Sequence, residues 1–290
     1  MHLPALLLVL TACRPDPDDQ SPFLLPLADL GAPMAQGGGY DLTSPQDAFF
    51  AARHVAPGVE ERWVLPASNM PLLLWEELLQ GENVADPGSC PYVQADGAKR
   101  LWVSGCRSED GYDWEGSVSL EETEDEDGEW ERWRFDLNVT SEVEGRSFDF
   151  VRLQGGFDYL SSGPAVDRWV QANWSVQAQG YWANNFEEEL ELAWADLALT
   201  GVLQAQETES GALRYVLDAT VDLGDSGGFN ATADSLTAGA ATGCPVEPDG
   251  VLTLVGAQTA VLTFEGPDRC DGCAQLSVDG ERQANACRGL

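Results

Sequence analysis

The side chains in this 290-residue chain with the most chemistry at their disposal are its seven cysteines. Cys13 stands alone near the N-terminus; Cys90, Cys106, Cys244, Cys270, Cys273 and Cys287 follow. Cys270-Asp271-Gly272-Cys273 has the CxxC spacing that gives a low-pKa redox thiol when it opens a helix. Together with Cys244 and Cys287 it could also supply four thiolates to zinc, although zinc ribbons normally use two CxxC pairs. Its context points elsewhere. The motif lies between the apolar run Val261–Phe264 and the alternating run Ala274–Val278, with Asp-Gly at its centre, which is the chemistry of a hairpin. An even set of six is therefore expected to form disulfides, Cys90 with Cys106, and Cys270 and Cys273 either with each other or with Cys244 and Cys287.

Histidine limits the catalytic options. Only His2 and His54 occur, so a Ser-His-Asp or Cys-His pair has to be built on His54, and a multi-histidine metal site cannot be built. Carboxylates pose the opposite problem. With 49 acidic against 15 basic residues, acid pairs for glycoside cleavage are available everywhere and none stands out. The resulting net charge of −34 excludes nucleic acid as a partner, because a phosphate-binding surface needs clustered Lys and Arg. Asp125-Glu126-Asp127-Gly128 resembles the start of a calcium loop, but the EF-hand register asks for Gly at its sixth position and Glu at its twelfth, where Trp130 and Asp136 stand. It reads as a solvated hairpin tip. No GxSxG, HExxH or phosphate loop is present. No catalytic residue, metal or cofactor is expected. Trp130, Trp169 and Trp182 lie at strand ends or outside the apolar phase, which makes them the aromatic candidates for an exposed, sugar-stacking surface.

These residues must be positioned by a sheet. From about residue 90 the apolar period is two. Trp133, Phe135, Leu137 and Val139 alternate with Arg132, Arg134, Asp136 and Asn138, and the same pattern fills 169–178 and 215–223. Further strands are expected over 99–104, 114–120, 147–154, 190–199, 251–255, 259–264 and 274–278. Asp127-Gly128, Glu144-Gly145, Gly155-Gly156 and Asp279-Gly280 are read as turns between them. Strict alternation leaves one face wet, which suits an antiparallel meander and excludes a doubly wound parallel sheet. The expected fold is mainly β, a curved open sheet, sandwich or incomplete barrel. Two short helices precede it. Ser44-Pro45 opens the first, which ends at Pro57-Gly58; Ser68 or Asn69 caps the second, which carries Leu74, Trp75, Leu78 and Leu79 on one face.

The N-terminus carries an address. Leu3–Leu10 is an apolar run of signal-peptide length, too short to span a bilayer, and Leu10-Thr11-Ala12-Cys13 closes it. This quartet resembles the lipobox of bacterial lipoproteins. The resemblance implies cleavage before Cys13, diacylation of that cysteine and anchoring in a membrane; Arg14 at the following position, where Asp would signal inner-membrane retention, implies the outer membrane. The acidic, disulfide-bearing composition is similar to that of envelope lipoproteins of myxobacterial type. The organisation read from the sequence is a signal peptide over 1–12, a lipidated, proline-rich tether over 13–39 and a β-rich domain over 40–290, with a disulfide-bearing module at about 243–290. The Phe23-Leu24-Leu25 cluster leaves open that part of the tether docks on the domain. The function expected is a non-catalytic, lipid-anchored envelope protein that binds an unidentified protein or glycan. A lipid or glycan carrier and an acid-residue hydrolase are the alternatives.

Overall fold

Ser44 begins the first helix as the sequence predicts. Its hydroxyl accepts a hydrogen bond from the Asp47 amide at 3.1 Å, which satisfies one of the donors a helix start leaves unpaired. Helix α1 (Pro45–Val55) buries Ala48, Phe49, Ala51, Ala52 and Val55, and α2 (Met70–Leu78) buries Leu74, Trp75 and Leu78. The structure, a computed structural model, describes residues 27–55, 70–79, 89–109, 111–124, 128–141, 148–162, 167–183, 189–208, 211–238, 244, 248–266 and 269–287. Cys13, the Ser68/Asn69 cap, the Glu144-Gly145 turn and the tip at Asp125-Glu126-Asp127 lie outside these residues.

The strands are β1 (Tyr92–Asp96), β2 (Lys99–Val103), β3 (Cys106–Arg107), β4 (Tyr112–Glu124), β5 (Glu129–Ser141), β6 (Phe148–Ser162), β7 (Asp167–Ala183) and β8 (Glu189–Glu207). They continue as β9 (Leu213–Asp222), β10 (Gly228–Ala238), β11 (Asp249–Val255), β12 (Thr259–Glu265), β13 (Cys273–Val278), β14 (Glu281–Arg282) and β15 (Ala286–Cys287). All belong to one antiparallel sheet in the order β1-β2-β4-β5-β6-β7-β8-β9-β10-β11-β12-β13-β14, with β3 beside β4 and β15 beside β13. It is a meander that does not close. Its two edges are blunted by short strands, which limits edge-to-edge pairing with other chains.

One face of this sheet, called inner here, holds the core. Trp133, Phe135, Leu137 and Val139 of β5 point to it with Val151 and Leu153 of β6, Val170, Trp174 and Val176 of β7, and Leu197 and Leu199 of β8, all in one contiguous buried cluster with both helices. Trp75 of α2 meets Trp102 of β2 at 5.4 Å between ring centroids and Trp114 of β4 at 6.2 Å. The same short helix touches β7, several strands away. A helix about 10 Å across reaches both only if the sheet curls around it. The curved open sheet is thus the one of the expected forms that the chain adopts.

Three details depart from the sequence reading. Gly155-Gly156 is no turn: both residues sit inside β6, paired to Phe135 and Arg134 on one side and to Trp174 and Asn173 on the other. Strand β10 carries no earlier assignment, because a register shift between Ala233 and Leu236 interrupts its alternation and three of its inward residues are alanines. Asp279-Gly280 does turn, with φ of 49° and 84°, the paired positive values of a type I′ hairpin between β13 and β14.

The third departure concerns the tether. Residues 27–39 lie along the outer face of the sheet. A 3-10 turn at Leu27–Leu30 rests on β6 and β7. Leu30 and Ala32 are buried, and the segment then crosses the strands to reach β10. There Gly38 and Gly228 exchange backbone hydrogen bonds of 2.9 and 2.8 Å. After Gly39 the chain enters the core through Tyr40, which packs on Phe229, and buried Leu42.

Candidate functional site

The cysteine framework is complete. Cys90 pairs with Cys106, Cys244 with Cys270, and Cys273 with Cys287, at Cα separations of 5.9, 5.5 and 4.0 Å. The CxxC motif lies between β12 and β13, and its two cysteines reach away from each other, one to each neighbouring segment. Cys270 and Cys273 are therefore not a dithiol couple in this state. All six cysteines after Cys13 are consumed, which leaves Cys13 with no disulfide partner in the chain.

The outer face holds the feature that sequence reasoning missed. Asn173 of β7 and Thr200 of β8 stand in the polar phase of their strands, where the alternation expects water, yet they are 0% and 4% exposed. The strap formed by residues 27–39 covers them. Asn173 Nδ2 donates to the Ala32 carbonyl at 2.6 Å, Thr200 Oγ1 donates to Asn173 Oδ1 at 2.7 Å, and the Ala35 amide donates to Thr200 Oγ1 at 2.8 Å. The two side chains thus satisfy each other and two backbone groups of an extended segment whose own backbone meets a strand only further on, at Gly228. Glycines make the approach possible. A Cβ on Gly155 would meet the Asn173 carbonyl at 2.2 Å and Ala32 Cβ at 2.7 Å, and one on Gly37 would meet the Asn230 amide at 2.4 Å. The legible signal was the run of small residues, Gly31, Ala32, Ala35 and Gly37-Gly38-Gly39. It reads as a linker by composition and is a close-packed strap by contact.

Beside the strap lies a buried charge. Asp158 of β6 is 0% exposed, and Arg134 Nη1 stands 2.5 Å from its Oδ1. That nitrogen donates to the carbonyls of Trp133 and Phe157, so the contact with Asp158 is ionic and neither carboxylate oxygen accepts a hydrogen bond. Trp130, expected at the surface, is 1% exposed, with the Arg132 guanidinium 4.8 Å from its ring centroid. The reason is positional: Trp130 points to the outer face two residues from Arg132, whose stem and head lie over the indole. It offers no stacking surface. Trp169 and Trp182 lie outside the described side chains.

His54, on which any nucleophile pair had to rest, is partly buried on α1 with its ring edge-on to Phe50 at 4.8 Å. Its Nε2 has no hydrogen-bond partner. Burial, with the nearby Arg53 charge as a smaller cause, pushes the imidazole down to about 4, so it is neutral at pH 7. Burial likewise raises the Tyr40 phenol, helped by the Asp47 and Asp41 carboxylates. Asp249, Phe264, Glu265 and Arg269 border a shallow, open depression. On the inner face, where a carrier would need a cavity, the described residues include the Trp75, Trp102, Trp114 and Trp133 rings in one buried cluster with the aliphatic side chains around them. Comparison of the chain with known protein families, with curated proteins and with solved structures finds no match.

Proposed function

We propose that this chain is an exported, lipid-anchored protein of the cell envelope, attached through Cys13, whose β domain acts by binding and not by catalysis. One observation carries the reading: three disulfides consume every cysteine except Cys13, the one that closes the Leu10-Thr11-Ala12-Cys13 quartet. Disulfides form and persist in oxidising compartments. A cysteine left over in an exported chain has either to pair between molecules or to be modified, and its position after a short apolar run favours the lipid. Arg14 favours the outer membrane. His54 Nε2, enclosed without a hydrogen-bond partner, and the apolar cluster on the inner face favour a binding surface over an active site.

A thioether-linked diacylglycerol with an amide-linked acyl chain supplies more than the single chain that would bind only reversibly. No helix among the described residues is long and apolar enough to cross a membrane, and strands cross only as closed barrels, whereas this sheet stays open. Cys13 is the anchor this reading proposes. Wild-type protein expressed with its leader is expected to incorporate labelled fatty acid and to partition into detergent; Cys13→Ser is expected to lose both properties. A serine variant that still needs detergent for release contradicts the proposal.

A further inference from the structure

We infer that the course of the strap over β7–β10 is a peptide-binding groove, occupied at rest by the chain's own residues 31–38 and fitted to an extended, cationic partner segment with small side chains. This inference rests on the reading of the β domain as a binding domain and names the surface and the class of its ligand. Three observations carry it.

The first is how the strap is held. Asn173 and Thr200 grip its backbone, through the Ala32 carbonyl and the Ala35 amide, and Gly228 does so through Gly38. A Cβ on Gly228 would meet the Gln36 carbonyl at 2.0 Å, so the floor is bare where the strap comes nearest. The strap's own side chains contribute little: over residues 31–39 only Ala32 is buried, and Met34 is 44% exposed. Such a site selects an extended backbone with small residues facing the sheet and leaves the outward residues free to vary. The second observation is what lifting the strap uncovers. The outward residues along its course are Asn173, Thr200, Thr220 and Asn230, successive partners across β7, β8, β9 and β10. Water hydrates all four, so displacement of residues 31–38 uncovers a polar row and no apolar one. The strap is a replaceable occupant, unlike the helices, whose loss would open the core.

The third is charge. Between Thr200 and Gly228 the strap crosses β9, whose outward residues there are Asp218, Thr220 and Asp222. Asp222 is the strand partner of Gly228, over which the Gln36 carbonyl lies, and Asp225 follows in the adjoining 3-10 turn. Among the described residues no Lys or Arg pairs with these carboxylates, and the strap over 30–39 brings no charge of its own. A ligand with Lys or Arg where the strap has Gln36 keeps the backbone bonds and adds ion pairs that the strap lacks. That difference lets such a segment displace the strap, at an apparent affinity scaled down by the fraction of time the strap lies open.

The test uses the full mature chain with its disulfides intact and two labelled peptides, the strap sequence 30–39 and the same peptide with Gln36→Lys. Fluorescence anisotropy reads their binding, and hydrogen exchange at the chain's own Ala35 amide reads displacement of the strap. The lysine peptide is expected to bind about fivefold more tightly than the neutral one at low salt and to speed Ala35 exchange. Its advantage should vanish in high salt and in a chain carrying Asp218→Asn and Asp222→Asn. Ala35→Pro in the chain removes the amide that donates to Thr200 and leaves the groove itself intact, so this variant should bind the lysine peptide several-fold more tightly than wild type. No binding, or binding that leaves Ala35 exchange unchanged, overturns the groove. Equal binding of the two peptides overturns the cationic preference and makes the strap of a second copy the matching occupant. No step involves the lipid, so loss of the anchor in Cys13→Ser leaves this result untouched, and failure here leaves the anchor standing.

Discussion

Thr200→Val is the sharpest perturbation of the strap, because valine keeps the shape of threonine and removes only the hydroxyl. That hydroxyl accepts from the Ala35 amide and donates to Asn173 Oδ1, at 2.8 and 2.7 Å. Removing it leaves Asn173 Oδ1 unsatisfied in a fully buried site and the Ala35 amide unsatisfied in a partly buried one. An orphaned buried polar group costs about 1–3 kcal/mol, so the pair together should cost about 2–4 kcal/mol of stability, with the strap able to relieve part of it by lifting. Thr200→Ser keeps the hydroxyl and should cost about 1 kcal/mol or less through the lost methyl. Urea unfolding with the disulfides intact reads the stabilities, and hydrogen exchange at the Ala35 amide reads the strap directly. The valine variant should exchange Ala35 much faster than wild type while amides in β4 and β5 remain protected. A valine variant within about 0.5 kcal/mol of wild type and with Ala35 equally protected would refute the latch, since nothing then depends on the bonds described.

The remaining predictions address single features. For His54, whose imidazole is lowered from 6.5 to about 4, the unfolded chain takes up the proton first as pH falls, so its contribution is complete above about pH 7 and lost progressively down to about 4. At about 1.4 kcal/mol per unit the full loss is about 3 kcal/mol, and His54→Phe should show a correspondingly smaller acid destabilisation than wild type between pH 6.5 and 4.5; parallel curves would contradict the burial argument. Asp158→Ala should destabilise by about 3 kcal/mol in the same urea assay, because it leaves the largely buried Arg134 head without its counter-charge; a neutral outcome would mean the pair is dispensable. Gly155→Ala, at φ of 93° and with its new Cβ driven into the Asn173 carbonyl, should cost more than about 3 kcal/mol, whereas Gly280→Ala, at φ of 84° with open space, should cost about 1 kcal/mol.

The parts of the fold legible in the sequence are those where one face is buried for its whole length. Strand β5 shows this: a residue pointing inward at Trp133 forces Phe135, Leu137 and Val139 inward too, so the alternation and the face are one statement. The ends of the long strands were less legible. Strand β6 runs to Ser162, because backbone pairing continues where the side chains no longer alternate, and β8 runs to Glu207 past Thr200-Gly201-Val202, which blurs the polar-apolar pattern before Leu203 and Ala205 resume it. Gly155-Gly156 misleads for a physical reason, since glycine serves both to turn a chain and to let another segment approach, and composition does not separate the two uses. Asn173, Thr200 and Asp158 stayed hidden because a polar residue in the outward phase of a strand is ordinarily solvated. Only the course of a segment about 140 residues earlier in the chain, as between Ala32 and Asn173, makes them buried. Cysteine pairing was legible as a set of six, and its connectivity required the register that places Cys273 opposite Cys287.

Intact-mass measurement of the protein isolated from the membrane fraction tests the central claim most directly, because one spectrum reads both the N-terminus and the cysteines. The account predicts a chain beginning at Cys13 that carries a diacylglycerol and an amide-linked acyl chain. Its other six cysteines should be present as three disulfides, so that reduction adds six hydrogens and alkylation without reduction adds nothing. A soluble chain that retains Met1 and alkylates at Cys13 would contradict it.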